Sequence, residues 1–139
     1  LPGVRKFFDD QIQFGKDHGY VQTLAGRRRY LPDLNSSNGM RRQGAVRMAM
    51  NMPIQGTQAD IIKLAMIDLQ KKLVDQKLPA NMLLQVHDEL VLEVNESRLS
   101  DIARLLQSTM ENAFKLDVPI IVEMRTGLNW EDMSPYEPE

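Results

Sequence analysis

The 139-residue sequence predicts an α+β fold, a small antiparallel sheet covered by helices on one side. Three observations lead there. Apolar residues recur at helical spacing along several stretches. Two pairs of short strand-like runs each flank a tight turn, and one last apolar run follows a proline.

In chain order, Pro2 and Gly3 precede a predicted helix with Val4, Phe7, Phe8 and Ile12 on one face. Gly19, after His18, is placed to close it. Tyr20 to Leu24 reads as a strand, Ala25-Gly26 as a turn, and Arg28 to Leu31 as the returning strand. Asp33 to Gly39 (DLNSSNG) reads as a polar loop. Arg41 to Met50 favours a helix that Pro53 interrupts, because proline lacks the N–H of the helical ladder. Thr57 and Asp60 then resemble a capping box with Asp in place of Glu or Gln. Ile62, Ala65, Met66, Leu69 and Leu73 follow at helical spacing, before Pro79. From Met82 to Val94 the runs MLLQV and LVLEV surround His87-Asp88-Glu89, which two strands and a turn explain better than one helix. Another helix starts at Asn95 or Ser97 and aligns Leu99, Ile102, Ala103, Leu106, Met110 and Phe114. Pro119 to Met124 (PIIVEM) reads as a last strand, and Asn129 to Glu139 as a polar, acidic tail.

Composition narrows the function classes. Apolar residues make up 42% of the chain, enough for a core. With no cysteine, disulfides and thiolate metal sites are excluded. No uninterrupted apolar run approaches the roughly 18 residues of a membrane span. The chain opens on Leu1 inside a helical stretch, so a piece of a longer protein is expected. Net charge is −2, yet between Arg27 and Arg47 six arginines face one acid, Asp33. A local cationic patch on an otherwise acidic body suits phosphates, although a solvated arginine-rich loop has the same composition. The nine methionines read as adaptable packing.

Three groups of residues can carry chemistry. His87, Asp88 and Glu89 sit between strongly apolar strands, so the cost of desolvation should keep them at an exposed hairpin tip. A carboxylate held there by a rigid sheet suits a hard cation such as Mg²⁺, while solvated turn residues would look alike in sequence. Arg47, Asn51 and Gln55 form the second group. Their amides and guanidinium can meet acceptor atoms in a DNA minor groove, or can satisfy backbone groups around Pro53. Arg27, Arg28, Arg41 and Arg42 complete the set as phosphate contacts. A metal-dependent phosphohydrolase built on His-Asp would need several histidines, and the chain has only His18 and His87.

MLLQVHDELVLEV resembles motif C of family A DNA polymerases, whose centre is QVHDE. NMPIQGTQADIIKLAM resembles the family's run into its long palm helix. GYVQTLAGRRRYLPDLNSSNG is similar to the region upstream, and TGLNWEDM to the C-terminal end. The segments stand in family order and cover nearly the whole chain. The resemblance implies that residues 1–139 are the C-terminal part of a polymerase domain, the palm with its adjoining fingers-side helix and no complete second domain. The second hairpin would be the motif C hairpin of the palm. Asp88 would be one of two catalytic carboxylates holding an Mg²⁺ pair, Glu89 an accessory acid, and His87 a neighbour of the primer terminus. Gln55, Asn51 and Arg47 would touch the minor groove and backbone of the primer-template DNA. Arg27, Arg28, Arg41 and Arg42 would add to the duplex surface. The implied reaction is transfer of a nucleotide from a dNTP to a primer 3′-hydroxyl.

No segment matches motif A, a DYSQIELR-like stretch with the other aspartate, nor the nucleotide-binding fingers helix. The isolated chain is therefore expected to lack polymerase activity, to need the missing N-terminal part as a partner, and to expose sheet edges. The alternative from another class is a non-catalytic duplex DNA-binding module. The resemblance implies a cytoplasmic, nucleoid-associated bacterial enzyme, with organellar or phage origin open.

Overall fold

The structure is a computed structural model and describes residues 1–138. It divides into two compact units, Leu1–Asp60 and Ile61–Glu139.

The first unit opens with α1 (Pro2–His18). Gly19 ends it in the left-handed conformation, φ 79°, and its N–H donates to the Gly15 carbonyl. The face expected on α1 is only partly used. Phe8 and Ile12 are half-buried, whereas Val4 and Phe7 are exposed. Gly15 is the buried position, and a Cβ there would lie 2.5 Å from a Leu34 methyl. The chain then forms a ribbon, β1 (Tyr20–Gln22) against β2 (Arg28–Tyr30), with Val21 opposite Arg29. The stretch read as a loop contains a 3-10 turn, Pro32–Asn35, which buries Leu34. Val21, Leu31, Leu34, Ala45, Ala49 and Met52 make the core.

α2 runs unbroken from Gly39 to Asp75 with Pro53 inside it, where an interruption and a second capped helix were expected. Proline at an interior position removes one N–H from the ladder. Packing outweighs that loss, since Ala49 and Met52 lie in the core on the preceding turn. Thr57 is therefore not a cap. Its hydroxyl donates to the Pro53 carbonyl and accepts the Leu24 N–H at 3.0 Å. The true cap is Asn38, whose Oδ1 accepts the N–H groups of Met40 at 3.0 Å and Arg41 at 3.2 Å.

In the second unit, Leu69 and Leu73 of α2 pack with Ala80 and Ile102, and Met82, Leu90, Leu92 and Val94 close over them. Those last residues belong to β3 (Ala80–Val86) and β4 (Glu89–Val94), an antiparallel hairpin whose register shifts between Met82 and Leu84. α3 (Leu99–Glu111) follows a 3-10 turn at Glu96–Arg98, and Phe114 lies beyond its end. Lys72 joins α2 to α3, bonding Asp68 at 2.7 Å and the Thr109 hydroxyl at 3.1 Å.

PIIVEM is not a strand. Among the described residues it has no neighbouring strand to complete a ladder, and the Val122 N–H donates instead to the Glu111 carboxylate at 3.2 Å. The last ribbon pairs β5 (Arg125–Thr126) with β6 (Ser134–Pro135), inside the segment read as a tail; Glu139 lies outside the described residues. The class is α+β with small antiparallel sheets, built among the described residues as three two-stranded ribbons.

Candidate active-site hairpin and nucleic-acid interface

β3 and β4 are joined by the two residues His87 and Asp88, with Val86 paired to Glu89. His87 takes φ 54°, the left-handed conformation that lets so short a turn close. The Gln85 side-chain amide donates to the His87 carbonyl and braces the turn. His87, Asp88 and Glu89 are all exposed, as desolvation cost requires. Asp88 stands in the turn, whereas Glu89 is already the first residue of β4. The two carboxylates are hard oxygen donors on adjacent residues and fit part of a divalent-cation site. Among the described residues no group of three or more His, Asp or Glu is gathered to hold a metal, so any remaining oxygens must come from elsewhere.

The continuity of α2 changes the reading of Arg47, Asn51 and Gln55. At intervals of four on one unbroken helix they form a single exposed row, spanning about 12 Å at 1.5 Å per residue. The bond at Pro53 is made by Thr57, and neither the Asn51 nor the Gln55 amide is used in a hydrogen bond among the described residues. That leaves donors and acceptors facing solvent at regular spacing, the arrangement a groove-contacting helix needs.

The arginines divide. Arg27 is turned to structure: Nε donates to the Asp60 carboxylate at 2.7 Å and Nη2 to the Gly56 carbonyl at 3.0 Å. These two bonds give a side chain expected among the phosphate contacts a structural anchor on α2. Arg42 donates to the Ser36 carbonyl at 2.8 Å, and the Arg28 guanidinium lies 4.5 Å from the centroid of Tyr20. Arg41 and Arg47 are exposed. Motif reasoning missed Asn38, Thr57 and Asp60 as the residues that set helix start and hairpin attachment. An Asx residue just before a helix and a threonine after a helical glycine were the available signals.

Comparison with known proteins covers most of the chain. A family profile, DNA polymerase family A, matches residues 1–132. The chain belongs to DNA polymerase family A. This family A chain is 48% identical over 136 residues to DNA polymerase I of Chloroflexus aurantiacus, covering 97% of the chain and 14% of that protein. It is 50% identical over 131 residues to DNA polymerase I of Deinococcus radiodurans, again 14% of that protein. The chain thus spans about a seventh of the curated relatives' length. Among solved structures it resembles the POL domain of Pol1 from M. smegmatis, in complex with DNA primer-template and dNTP. The TM-score there is 0.84 at 47% identity, over 86% of this chain and 21% of that one. Among the described residues no helix is long and apolar enough to cross a membrane.

Proposed function

We propose that this family A chain supplies part of a DNA-directed DNA polymerase site, the motif C hairpin and a helix facing the duplex. The observation that carries the reading is the two-residue turn at His87-Asp88, which presents adjacent carboxylates to solvent from a packed hairpin. Residues 1–139 are read as the C-terminal part of one polymerase domain, palm with adjoining fingers-side helix. The primer 3′-oxygen attacks the α-phosphorus of the dNTP, pyrophosphate leaves, and the hydroxyl proton passes to solvent or a nearby base. Mg²⁺, held by Asp88 with Glu89 beside it, would supply positive charge where negative charge develops. His87 stands at the same tip, where it can approach the primer end. Arg47, Asn51 and Gln55 would orient the duplex through its minor groove, and Arg28, Arg41 and Arg42 would hold phosphates. The aspartate of motif A and the nucleotide-binding fingers helix would come from a polymerase segment outside these residues, so the chain alone is inactive. The expected setting is the bacterial nucleoid in the cytoplasm.

The test is primer extension with the preceding polymerase segment supplied in trans. Extension by wild type, and a loss of at least about a hundredfold with Asp88→Ala, is expected. Because Asp88 is exposed, the same substitution should change stability by less than about 0.5 kcal/mol. The second reading is a non-catalytic duplex-binding module, which would need only the exposed row of Arg47, Asn51 and Gln55 on α2. Duplex binding without extension in the reconstituted wild type would select it.

A further inference from the structure

The aromatic rings of the first unit stay outside its core, which is wholly aliphatic apart from Met52. Phe14, His18, Tyr20 and Tyr30 instead form a row of ring contacts. Phe14 stacks on His18 with centroids 4.1 Å apart and planes 17° from parallel. His18 meets Tyr20 at 6.2 Å, and Tyr20 meets Tyr30 at 5.8 Å. Strand register explains the placement. Tyr20 pairs with Tyr30 and Gln22 with Arg28, so these four share the face of the ribbon opposite buried Val21. Packing accounts for Tyr20, which pins the ribbon to the end of α1. It does not account for Tyr30, which is 69% exposed at the end of the row.

A row of rings that ends on exposed Tyr30, beside a guanidinium, is suited to nucleobases. A base stacks on a ring whatever its identity, and arginine adds a cation for the base face or the phosphate. The surrounding charge agrees, with six arginines against one acid between Arg27 and Arg47. Bases inside a duplex keep their faces covered, so the occupant must be unpaired. We propose that Tyr30, with His18, Tyr20 and Arg28, forms a stacking platform for the bases of an unpaired DNA strand. The choice of DNA rests on the polymerase reading, in which a template strand extends unpaired beyond the primer end.

The test measures affinity at one fixed salt concentration for two probes, a fluorescein-labelled oligothymidylate of about twelve nucleotides and a blunt duplex of similar length. Tyr30→Ala should weaken oligothymidylate binding about fivefold or more. Tyr30→Leu, which keeps apolar bulk without a ring, should lose as much, and Tyr30→Trp should retain wild-type affinity. Duplex affinity and melting temperature should not move. Unchanged single-strand binding in both Tyr30→Ala and Tyr30→Leu, or equal losses on the two probes, would overturn the platform. Wild-type binding to the duplex alone would sink the platform and leave the polymerase reading standing. Binding to neither probe would likewise overturn the platform, while the polymerase reading stands or falls on the reconstituted extension assay.

Discussion

Arg27 lies in a run of three arginines, where charge density suggests a phosphate contact. Its guanidinium instead reaches Asp60 and the Gly56 carbonyl, tying the β1–β2 ribbon to α2. Asp60 is 9% exposed, so removing its cation strips a charge partner from a largely dry carboxylate. Arg27 itself is about half exposed, which reduces the effect. Arg27→Ala should cost about 2 kcal/mol, read as a lower urea midpoint at unchanged slope. Arg27→Lys should recover only part of this, since an ammonium cannot send two N–H groups from one planar fork. Asp88 is the opposite case: it is exposed in its turn, so its replacement should leave the hairpin folded and make any loss of extension a test of the proposed chemistry.

α2 is long because its neighbours hold it, and its tightest neighbour sits at Gly56. A Cβ on Gly56 would lie 2.6 Å from the Thr23 methyl and 3.0 Å from the Met52 sulfur. Thr23 is buried and bonded to Arg27, so it has little room to give. Gly56→Ala, which helix propensity alone would favour, should destabilise by about 1–3 kcal/mol in thermal unfolding. On α3 the Asp101 carboxyl is held below its ordinary value, first by its bond from Arg104 and then by Arg98. A depressed folded value means its contribution is fully present above the unfolded pKa and is lost as pH falls through the folded one. Melting of wild type and Asp101→Asn should therefore differ at neutral pH and converge on acidification. Convergence on raising the pH would contradict the assignment.

The arginine segment stands against a remainder of net charge −7. Affinity for duplex should depend steeply on salt despite the overall −2. If Arg28, Arg41, Arg42 and Arg47 each meet a phosphate, log affinity should fall against log salt with a slope of about −4. Replacing Arg41 and Arg47 by Gln should reduce that slope by about 2. A slope unchanged in the double variant would move the phosphate contacts elsewhere.

Features that depend on near neighbours were legible in the chain itself. They include the glycine stop at Gly19, both hairpins, the exposed His87-Asp88-Glu89 tip, and the motifs that identify the family. Each follows from local periodicity, turn chemistry or the cost of burying charge, all of which act within a few residues. Other features needed partners far along the chain. Whether Pro53 breaks a helix depends on what packs against Ala49 and Met52, and where Arg27 points depends on Asp60, 33 residues away. PIIVEM has the composition of a strand, but a strand exists only where a neighbour accepts its hydrogen bonds. The row of Arg47, Asn51 and Gln55 came into view for the same reason: packing keeps their helix continuous through a proline.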